Sequence, residues 1–319
     1  MMNKFCLAVR PVFFYASVIT IVLITTVSLG LVLNYLRDTL VGEPLNCDDF
    51  GDIENFPDSA HHNHHYYSKN NMNLSPEQIR IKTHFHQQQM KRQVITSDRT
   101  GKNFFQRNWE PSYSCTAMAR MGCPGDGGKW VCDPHLYLVG DSHSSSSSSN
   151  NNNNAQQQQQ CVIYSIGSNN EFSFEKAIHH YNPLCQIHTF DSTMPVYPGQ
   201  KPHYVKFHPW SLGGHDDAAG WTFTLSTMMR KLGHQNITIL KVDCEGCELD
   251  SFGSEPSSFP AGRGAIQQIL VEVHFDGRPE RVHDFFRFLS KNGYAIVSKE
   301  PNIMYTGGNA VEFSFLHIG

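Results

Sequence analysis

Acidic residues crowd the end of one apolar segment in the C-terminal half of the chain. The β-branched stretch 237–242 leads directly into Asp243 and Glu245. In open α/β folds ligands bind beyond the carboxyl ends of the strands, so these carboxylates are placed at a ligand site. Glu245 has the chemistry of a general base for a hydroxyl group, and Asp243 that of a group that orients a substrate or cofactor. The alternative is helix capping, because Glu248 and Asp250 would fall in a first helical turn.

A histidine ends the next apolar segment. Residues 269–273 lead into His274, which a parallel sheet would bring to the same edge as Asp243. A histidine there can act as a base or as a metal ligand, and a purely structural role is the alternative. No metal motif in the sequence is strong enough to require an ion, so none is predicted.

Two cysteines, Cys244 and Cys247, form a C-x2-C pair within the same acidic segment. That motif also occurs in thioredoxin-like redox sites, where it follows a strand. Negative neighbours raise the pKa of a thiol rather than lower it, which disfavours a redox role here.

A single glycine and an acid mark a predicted cofactor site. Gly167 follows the apolar segment 161–166 and lets the backbone turn sharply towards a ligand. Asp191 ends the next apolar segment, 24 residues later (191 − 167), and is placed to accept hydrogen bonds from ribose hydroxyls; a turn-initiating role is the alternative. At a solvent-facing strand end, Asp191→Ala should weaken cofactor binding by about one to two orders of magnitude and leave the fold intact.

The segments around these residues alternate between strand-like and helix-like patterns. Strand-like runs lie at 161–166, 187–190, 204–207, 237–242, 269–273, 295–298 and 311–317, and helix-like stretches at 171–180, 222–232 and 279–292. Apolar strands alternating with helices predict an α/β fold with a mostly parallel sheet covered on both faces. Seven strands with a final hairpin-like pair are typical of the Rossmann-like class I methyltransferase fold, although alternation alone would also suit a dinucleotide-binding enzyme.

An uncharged stretch near the N-terminus predicts a membrane anchor. Residues 11–36 are long enough to cross a hydrocarbon layer of roughly 30 Å as a helix. Lys4 and Arg10 precede them and several acids follow, so the positive-inside tendency leaves residues 1–10 in the cytosol. We therefore predict a single-pass type II membrane protein of the endoplasmic reticulum or Golgi, with its catalytic domain in the lumen. A cleaved signal peptide, which would release a secreted protein, is the alternative.

Composition divides the rest of the chain into four regions. Residues 37–108 are polar and rich in His, Asn and Gln, and are predicted to form a largely disordered stem whose histidine cluster at 61–65 lacks a fold to fix metal ligands. Residues 109–143 form an N-terminal module with three cysteines. The Ser, Asn and Gln runs of 144–160 predict a disordered insertion. Residues 161–319 form the catalytic domain.

Cysteines and glycosylation sequons fit a secretory compartment. Eight of the nine cysteines follow Cys6, and Asn73 and Asn236 each begin a sequon. Cys161 and Cys185 each begin a predicted strand, and these two strands are neighbours in such a fold. We therefore predict a disulfide between them.

Several motifs together resemble the methyltransferase-like protein 24 family, which belongs to the class I methyltransferases and is similar to FkbM-type O-methyltransferases. The motifs are VIYSIGSNNEFSFE, IHTFD, ILKVDCEGCE, ILVEVH and EFSFLHI, together with the block GDGGKWVCDP at 125–134. The likeness covers residues 109–319 apart from the insertion. It implies S-adenosylmethionine binding at the loop around Gly167 and at Asp191, with a substrate-side role for Asp243 and Glu245.

The predicted site therefore has two parts. Its cofactor contacts are Ser165, Gly167, Ser168, Asn169, Glu171, Asp191 and Asp243, and its catalytic residues are Asp243, Glu245 and His274. Two features depart from the family's pattern. Ser165 stands where many class I enzymes carry an acid, and Ser168 to Asn170 stand where further glycines often occur.

These features predict methyl transfer to an oxygen or nitrogen of a glycan, a protein or a small molecule. Two other classes remain open. A binding module could keep the fold without catalysis, and an α/β oxidoreductase is disfavoured because a dinucleotide fingerprint has three glycines. The net charge of −4 and the lack of a Lys/Arg cluster argue against a nucleic-acid partner.

Overall fold

The computed structural model describes residues 100–125, 127–138, 160–194, 201–252, 259–260 and 264–319. The predicted membrane anchor, the stem up to residue 99 and the insertion up to residue 159 lie outside these residues. Within the described part of the chain, none of the helices has the length and apolar character needed to cross a bilayer.

Eleven strands and seven helices make up the described residues. The strands are β1 (Met118–Met121), β2 (Lys129–Cys132), β3 (Val162–Ile166), β4 (Gln186–Phe190), β5 (Val205–His208), β6 (Ser211–Leu212), β7 (Thr222–Phe223), β8 (Ile237–Val242), β9 (Ile266–His274), β10 (Tyr294–Pro301) and β11 (Ala310–His317). The helices are α1 (Gly101–Arg107), α2 (Pro134–Tyr137), α3 (Ser173–Tyr181), α4 (Leu225–Leu232), α5 (Cys247–Ser251), α6 (Pro279–Lys291) and α7 (Ile303–Thr306).

Seven of the strands form one sheet, in the order β10-β11-β9-β8-β3-β4-β5. The five strands from β9 to β5 run parallel, and β10 and β11 form an antiparallel pair at one edge. This confirms the predicted Rossmann-like, mostly parallel sheet with a final antiparallel pair. The carboxyl ends of the parallel strands and the start of β11 therefore share one edge.

Helices and a hairpin cover the two faces of this sheet. One apolar core joins the sheet to α1, α4, α5 and α6. A second core, on the other face, joins it to α3 and to the β1–β2 hairpin. Both faces of the sheet are therefore covered, which explains why the strands are apolar on both sides. The near-continuous hydrophobic runs in the sequence predict this arrangement.

The predicted stem extends too far along the chain. Residues 101–107 form α1, and Phe104 and Phe105 are buried in the core. Trp109 stacks on Phe286 of α6 with ring centroids 4.5 Å apart. Burial of three aromatic side chains gives this segment enough apolar area to order it, so the folded domain begins by residue 101 and not at 109.

The predicted N-terminal module is part of the same folded domain as the sheet. The side-chain amide of Gln268 in β9 accepts a hydrogen bond from the Cys132 amide (2.9 Å) and donates one to its carbonyl (2.7 Å). Ser314 of β11 donates a hydrogen bond to the Trp130 carbonyl (2.7 Å). A Cys115–Cys132 disulfide closes the base of the hairpin, and Cys123 is also disulfide-bonded. The hydrogen bonds with Gln268 and Ser314 fix β2 against β9 and β11 of the sheet.

Two further predictions can be compared with the structure. The predicted Cys161–Cys185 disulfide is present, with Cα atoms 4.7 Å apart. The helix predicted from residue 222 begins only at Leu225, because Thr222 and Phe223 pair with β6 instead. Thr224 caps this helix by accepting a hydrogen bond from the Thr227 amide (3.3 Å).

Candidate active site

Gly167 turns the chain out of β3, as its position after an apolar strand predicts. Its φ of +77° lies in the left-handed region, and a Cβ atom there would overlap the carbonyl oxygen of Asp243. Its amide donates to the Phe190 carbonyl (2.9 Å). Glycine is therefore required because two strand ends approach closely. This contact lets the loop after β3 and the acids after β8 share one site.

Asp191 braces the loop that follows Gly167. Its Oδ2 accepts hydrogen bonds from the Ser168 amide (3.0 Å), the Ser168 hydroxyl (3.2 Å) and the Asn169 amide (3.0 Å). Its Oδ1 accepts three more, from the amide and hydroxyl of Thr193 and from the Met194 amide. Burial raises the pKa of Asp191, but these hydrogen bonds outweigh burial and lower it overall. The carboxylate is thus buried and satisfied within the protein, which corrects the expectation of a solvent-facing side chain.

Ser165 lies beneath the loop and has no exposed surface. Its neighbour is the fully buried Glu175 of α3, which accepts a hydrogen bond from the Thr189 hydroxyl (3.0 Å). Burial raises the pKa of Glu175, against the charge of Lys241 and this hydrogen bond. The Lys241 ammonium donates to the Gly167 carbonyl (2.9 Å). The role predicted for Ser165 as a cofactor contact does not fit this burial.

The other predicted loop contacts have different surroundings. Ser168 is buried against Asp191, whereas Asn169 is exposed at the tip of the loop with a φ of +44°. Glu171 accepts a hydrogen bond from the Ser173 amide (2.6 Å) at the start of α3. A Cβ atom at Gly127 of the hairpin would overlap the Glu171 carboxylate. Of these loop residues, only Asn169 presents its side chain to solvent, where a ligand can reach it.

His274 sits among three glutamates at the end of β9. Its Nδ1 lies 3.1 Å from Oε1 of Glu248, and its Nε2 lies 3.2 Å from Oε2 of Glu245 and 3.8 Å from Oε2 of Glu272. Glu248 is fully buried and also accepts hydrogen bonds from the His274 amide (2.8 Å) and the Gly246 amide (3.0 Å). The Glu245 side chain is 86% exposed. A fixed carboxylate therefore orients the imidazole from one side, and Nε2 faces the open side.

The charges around His274 control its protonation. Burial lowers the pKa of His274, but the hydrogen bond to Glu248 and the charges of Glu248, Glu272 and Glu245 outweigh burial and raise the pKa to about 9. Burial and the charges of Asp243 and Glu312 raise the pKa of Glu272 to about 8. At neutral pH His274 and Glu272 are therefore both protonated, and a small change in the charges around them would change that protonation.

A buried lysine enters this edge from the hairpin. The Lys129 ammonium lies 3.0 Å from Oδ2 of Asp243 and forms a second ion pair with Glu312. Burial raises the pKa of Asp243, but the charges of Lys129 and Lys241 outweigh burial and hold it well below its usual range. Asn302 donates to Oε1 of Glu272 (2.8 Å). The structure therefore brings Asp243, one of the predicted residues, together with a cation that sequence reasoning missed.

Four residues of this edge were not predicted as site residues: Lys129, Glu248, Glu272 and Glu312. Glu248 was considered only as a residue of a first helical turn; it lies in the first turn of α5 and accepts a hydrogen bond from the Gly246 amide, and its other oxygen contacts His274. No strand was predicted at 129–132, so Lys129 was missed. In the structure, residues 129 and 131 of β2 point to one face, and Lys129 is buried there with Val131.

The two cysteines of the C-x2-C segment form a disulfide with Cα atoms 5.5 Å apart. It brackets Glu245 and Gly246, whose φ angles of +55° and +110° form a tight turn. The bond therefore restrains the turn that places Glu245 beside His274.

Residues at this edge fit a cationic cofactor. Asp243 lies next to the glycine turn and Glu245 is exposed at the same edge, and the sulfonium and ammonium groups of S-adenosylmethionine are positive. The loop has one glycine and no cradle for a pyrophosphate, which this cofactor lacks. Among the described residues, Asp243, Glu272 and Glu312 lie close enough together to hold a metal ion, but the Lys129 ammonium already bonds to two of them.

Known proteins resemble the chain in family and in fold. A family model described as a methyltransferase domain matches residues 58–317. Among solved structures, the chain is similar to a Methanococcus jannaschii fibrillarin pre-rRNA processing protein, with 10% identity over 50% of this chain and 67% of that one and a TM-score of 0.34. It is also similar to a precorrin-6y C5,15-methyltransferase from Geobacter metallireducens, with 11% identity over 49% of this chain and 78% of that one and a TM-score of 0.28. No curated protein matches it in sequence.

Proposed function

Because the chain belongs to the methyltransferase-domain family whose model matches residues 58–317, we propose that it transfers a methyl group from S-adenosylmethionine to an oxygen or nitrogen acceptor. The cofactor is the one that class I methyltransferases use. When bound, it supplies a methyl group on a sulfonium, and transfer leaves a neutral thioether. The acids beyond β8 favour the positive charge of the cofactor, and the Gly167 turn brings the backbone of the loop to them.

The position of His274 is the observation that carries this proposal. Glu248 holds Nδ1 from the buried side, so Nε2 faces the edge where the strands end. The exposed Glu245 can move aside for an acceptor, and the neutral form of His274 then takes the proton of an acceptor hydroxyl at Nε2 as the hydroxyl oxygen bonds to the methyl carbon. Because the pKa of His274 is raised to about 9, only a minor fraction of the imidazole is neutral at pH 7. Glu248 is a positioning residue, because a carboxylate behind an imidazole fixes its tautomer and stabilises the charge it gains.

Glu245 and Asp243 have separate roles in this proposal. Glu245 lies on the open side and contacts the acceptor, while Asp243 is held by Lys129 next to the glycine turn and faces the cofactor. Asp191 positions the loop through Ser168 and Asn169. A ribose hydroxyl at Asp191 would compete with those donors, so the exposed Asn169 is the better candidate for direct cofactor contact.

The proposal includes a place in the secretory lumen, with the anchor at 11–36 in the bilayer. Three disulfides among the described residues fit an oxidising compartment, and Asn236 of one sequon is exposed. A glycan hydroxyl is the acceptor that best fits such a location, with a secreted protein or a small molecule next.

Label transfer tests the proposed reaction. The full chain in mild detergent is incubated with methyl-labelled S-adenosylmethionine and with separate fractions of glycans, secreted proteins and small molecules from the cells that make it. We expect label in one fraction with the wild type and none with His274→Ala, which should still bind cofactor. If the wild type binds cofactor but labels nothing, the alternative of a non-catalytic binding module replaces this proposal.

A further inference from the structure

A row of acids crosses the sheet beneath the β1–β2 hairpin. Glu300 of β10 lies opposite Glu312 of β11, and Glu312 lies opposite Glu272 of β9. Asp243, at the end of the neighbouring β8, completes the row. Like charges directly opposite one another on paired strands destabilise a sheet, so this row requires protons or cations.

The hairpin supplies one cation to each end of the row. Arg120 of β1 pairs with Glu300 at the outer end, where the Glu300 side chain is 42% exposed. Lys129 of β2 pairs with Asp243 and Glu312 at the inner end, where the Lys129 side chain is only 2% exposed. The inner pair is screened little by water, so its charges interact more strongly than those of the outer pair.

The backbone that carries Lys129 is fixed next to this contact. Trp130 and Cys132, one and three residues further on, are hydrogen-bonded to Ser314 and Gln268 of the sheet. The disulfide at Cys132 closes the hairpin at the same point. The ammonium therefore reaches one defined place between the carboxylates.

Lys129 keeps its charge in this position. Burial lowers the pKa of Lys129, but the charges of Glu312 and Asp243 outweigh burial and hold the pKa above its usual range. A neutral side chain at position 129 would remove the cation that bonds directly to Asp243 and Glu312 and leave them the charge of Lys241, which is destabilising because both carboxylates are buried.

We propose that Lys129 is a positioning residue of the methyl-transfer site: its ammonium is the resident cation of the Asp243–Glu272–Glu312 group, in the place where a divalent metal ion would otherwise bind, and it holds Asp243 ionised beside the Gly167 turn. The inference rests on the proposed function, because Lys129 acts on the cofactor through Asp243.

Replacing Lys129 with alanine tests this role in the full chain in mild detergent. Lys129→Ala leaves space for propylammonium, which has the size and charge of the missing end of the side chain. Arg120→Ala is the matched control, because it removes a hairpin cation from the outer end of the same row. Each variant is measured for its unfolding midpoint between about pH 6 and pH 9 and for S-adenosylmethionine affinity by calorimetry, with and without propylammonium, Ca²⁺ or Mn²⁺.

We expect Lys129→Ala to bind S-adenosylmethionine about tenfold or more weakly than the wild type, since Asp243 loses its partner. Its loss of stability should grow as pH rises, because without the bonded ammonium of Lys129 the buried carboxylates favour their protonated forms in the folded state, even with Lys241 nearby. Propylammonium should restore both stability and affinity. Arg120→Ala should show a smaller loss that changes little with pH, and propylammonium should not restore it.

Three results would overturn the inference while leaving the proposed function intact. They are normal cofactor affinity in Lys129→Ala, recovery of stability without recovery of affinity, and stabilisation of the wild type itself by Ca²⁺ or Mn²⁺. The first two would make Lys129 a packing group, and the third would assign the acids to a metal. A wild type that does not bind S-adenosylmethionine would instead overturn the proposed function, and this inference with it.

Discussion

Two loops at the same edge of the sheet satisfy their polar groups in opposite ways. The loop after β3 is held by Asp191 at the end of β4, which accepts three hydrogen bonds on each carboxylate oxygen, all from protein donors. In the loop after β8, Glu245 is exposed, and competing charges around this loop hold the protons of His274 and Glu272 in the neighbouring β9. Hydrogen bonds fix the conformation of the first loop, whereas the groups around the second loop can exchange protons.

This difference assigns a task to each loop. A satisfied carboxylate with a depressed pKa does not take up a proton near neutral pH, so the first loop suits binding. Groups with raised pKa values at a partly exposed edge suit proton transfer, because their protonation changes in the range where enzymes work. The predictions below test this division, beginning with the largest expected effect.

Replacing His274 should have the largest effect, and it should fall on turnover alone. We expect His274→Ala to lower kcat by about 100- to 10,000-fold, the range for loss of a general base, with cofactor affinity close to wild type. Glu245→Gln is the matched comparison at the same edge, and its effect should be smaller because Glu245 is exposed. Steady-state methyl transfer and calorimetry measure the two quantities. If cofactor affinity falls as much as turnover in His274→Ala, the two loops do not divide the work.

Replacing Asp191 should chiefly cost stability. Asp191→Ala removes a buried acceptor from the Ser168, Asn169 and Thr193 donors, and charged hydrogen bonds contribute about 1.5–3 kcal/mol each, so we expect about 3 kcal/mol less free energy of unfolding. Asp217→Ala is the control, since that exposed side chain accepts a bond from the Ala219 amide. Urea unfolding measures both. Unchanged stability in Asp191→Ala would restore the sequence-based expectation that this residue serves the ribose alone.

The Cys161–Cys185 disulfide, at the amino ends of β3 and β4, and the Cys244–Cys247 disulfide, in the loop after β8, should affect the protein differently. Removing Cys161–Cys185, which closes 24 residues, should lower stability by about 3 kcal/mol on the chain-entropy estimate, with little change in turnover after refolding. Removing Cys244–Cys247, which closes only 3, should lower stability by roughly 2 kcal/mol or less and reduce turnover as the Glu245 turn loosens. Serine double variants are compared by unfolding and by methyl transfer. Equal effects on turnover would show that the second disulfide has no special bearing on the site.

The smallest expected effect is the change of turnover and stability with pH that the raised pKa of His274 produces. Turnover should rise by about tenfold per pH unit below the pKa of His274, about 9, because only the neutral imidazole accepts a proton. The raised pKa of His274 also means that its protonated form stabilises the fold. Since the folded pKa lies above the unfolded value of about 6.5, the contribution of His274 is fully present below pH 6.5 and is lost as pH rises through about 9. A pH–rate profile on Glu248→Gln should shift to lower pH, and an unshifted profile would place the base elsewhere.

Local patterns were enough to predict the sheet and part of the site. Each strand of the main sheet is an apolar run, so periodicity located them, and strand ends located Gly167, Asp243 and His274 at one edge. The Cys161–Cys185 pair followed from the adjacency of β3 and β4. These features depend only on neighbours in sequence or on a common topology.

What could not be predicted depends on contacts between distant segments. Lys129 meets Glu312 across 183 residues, and Trp109 meets Phe286 across 177 (286 − 109), so no local pattern joins them. Asp191 was misjudged for a related reason. Its position at a strand end is visible in the sequence, but the closure of the Ser168 and Thr193 segments over it is not.

Calorimetric titration of the full chain with S-adenosylmethionine, and separately with NAD, tests the central claim most directly. The edge formed by Gly167, Asn169 and Asp243 should bind S-adenosylmethionine with one site per chain and should give no binding heat with NAD, which needs a pyrophosphate cradle that this loop lacks. Absence of S-adenosylmethionine binding even at millimolar concentration, or binding of NAD in its place, would contradict the account.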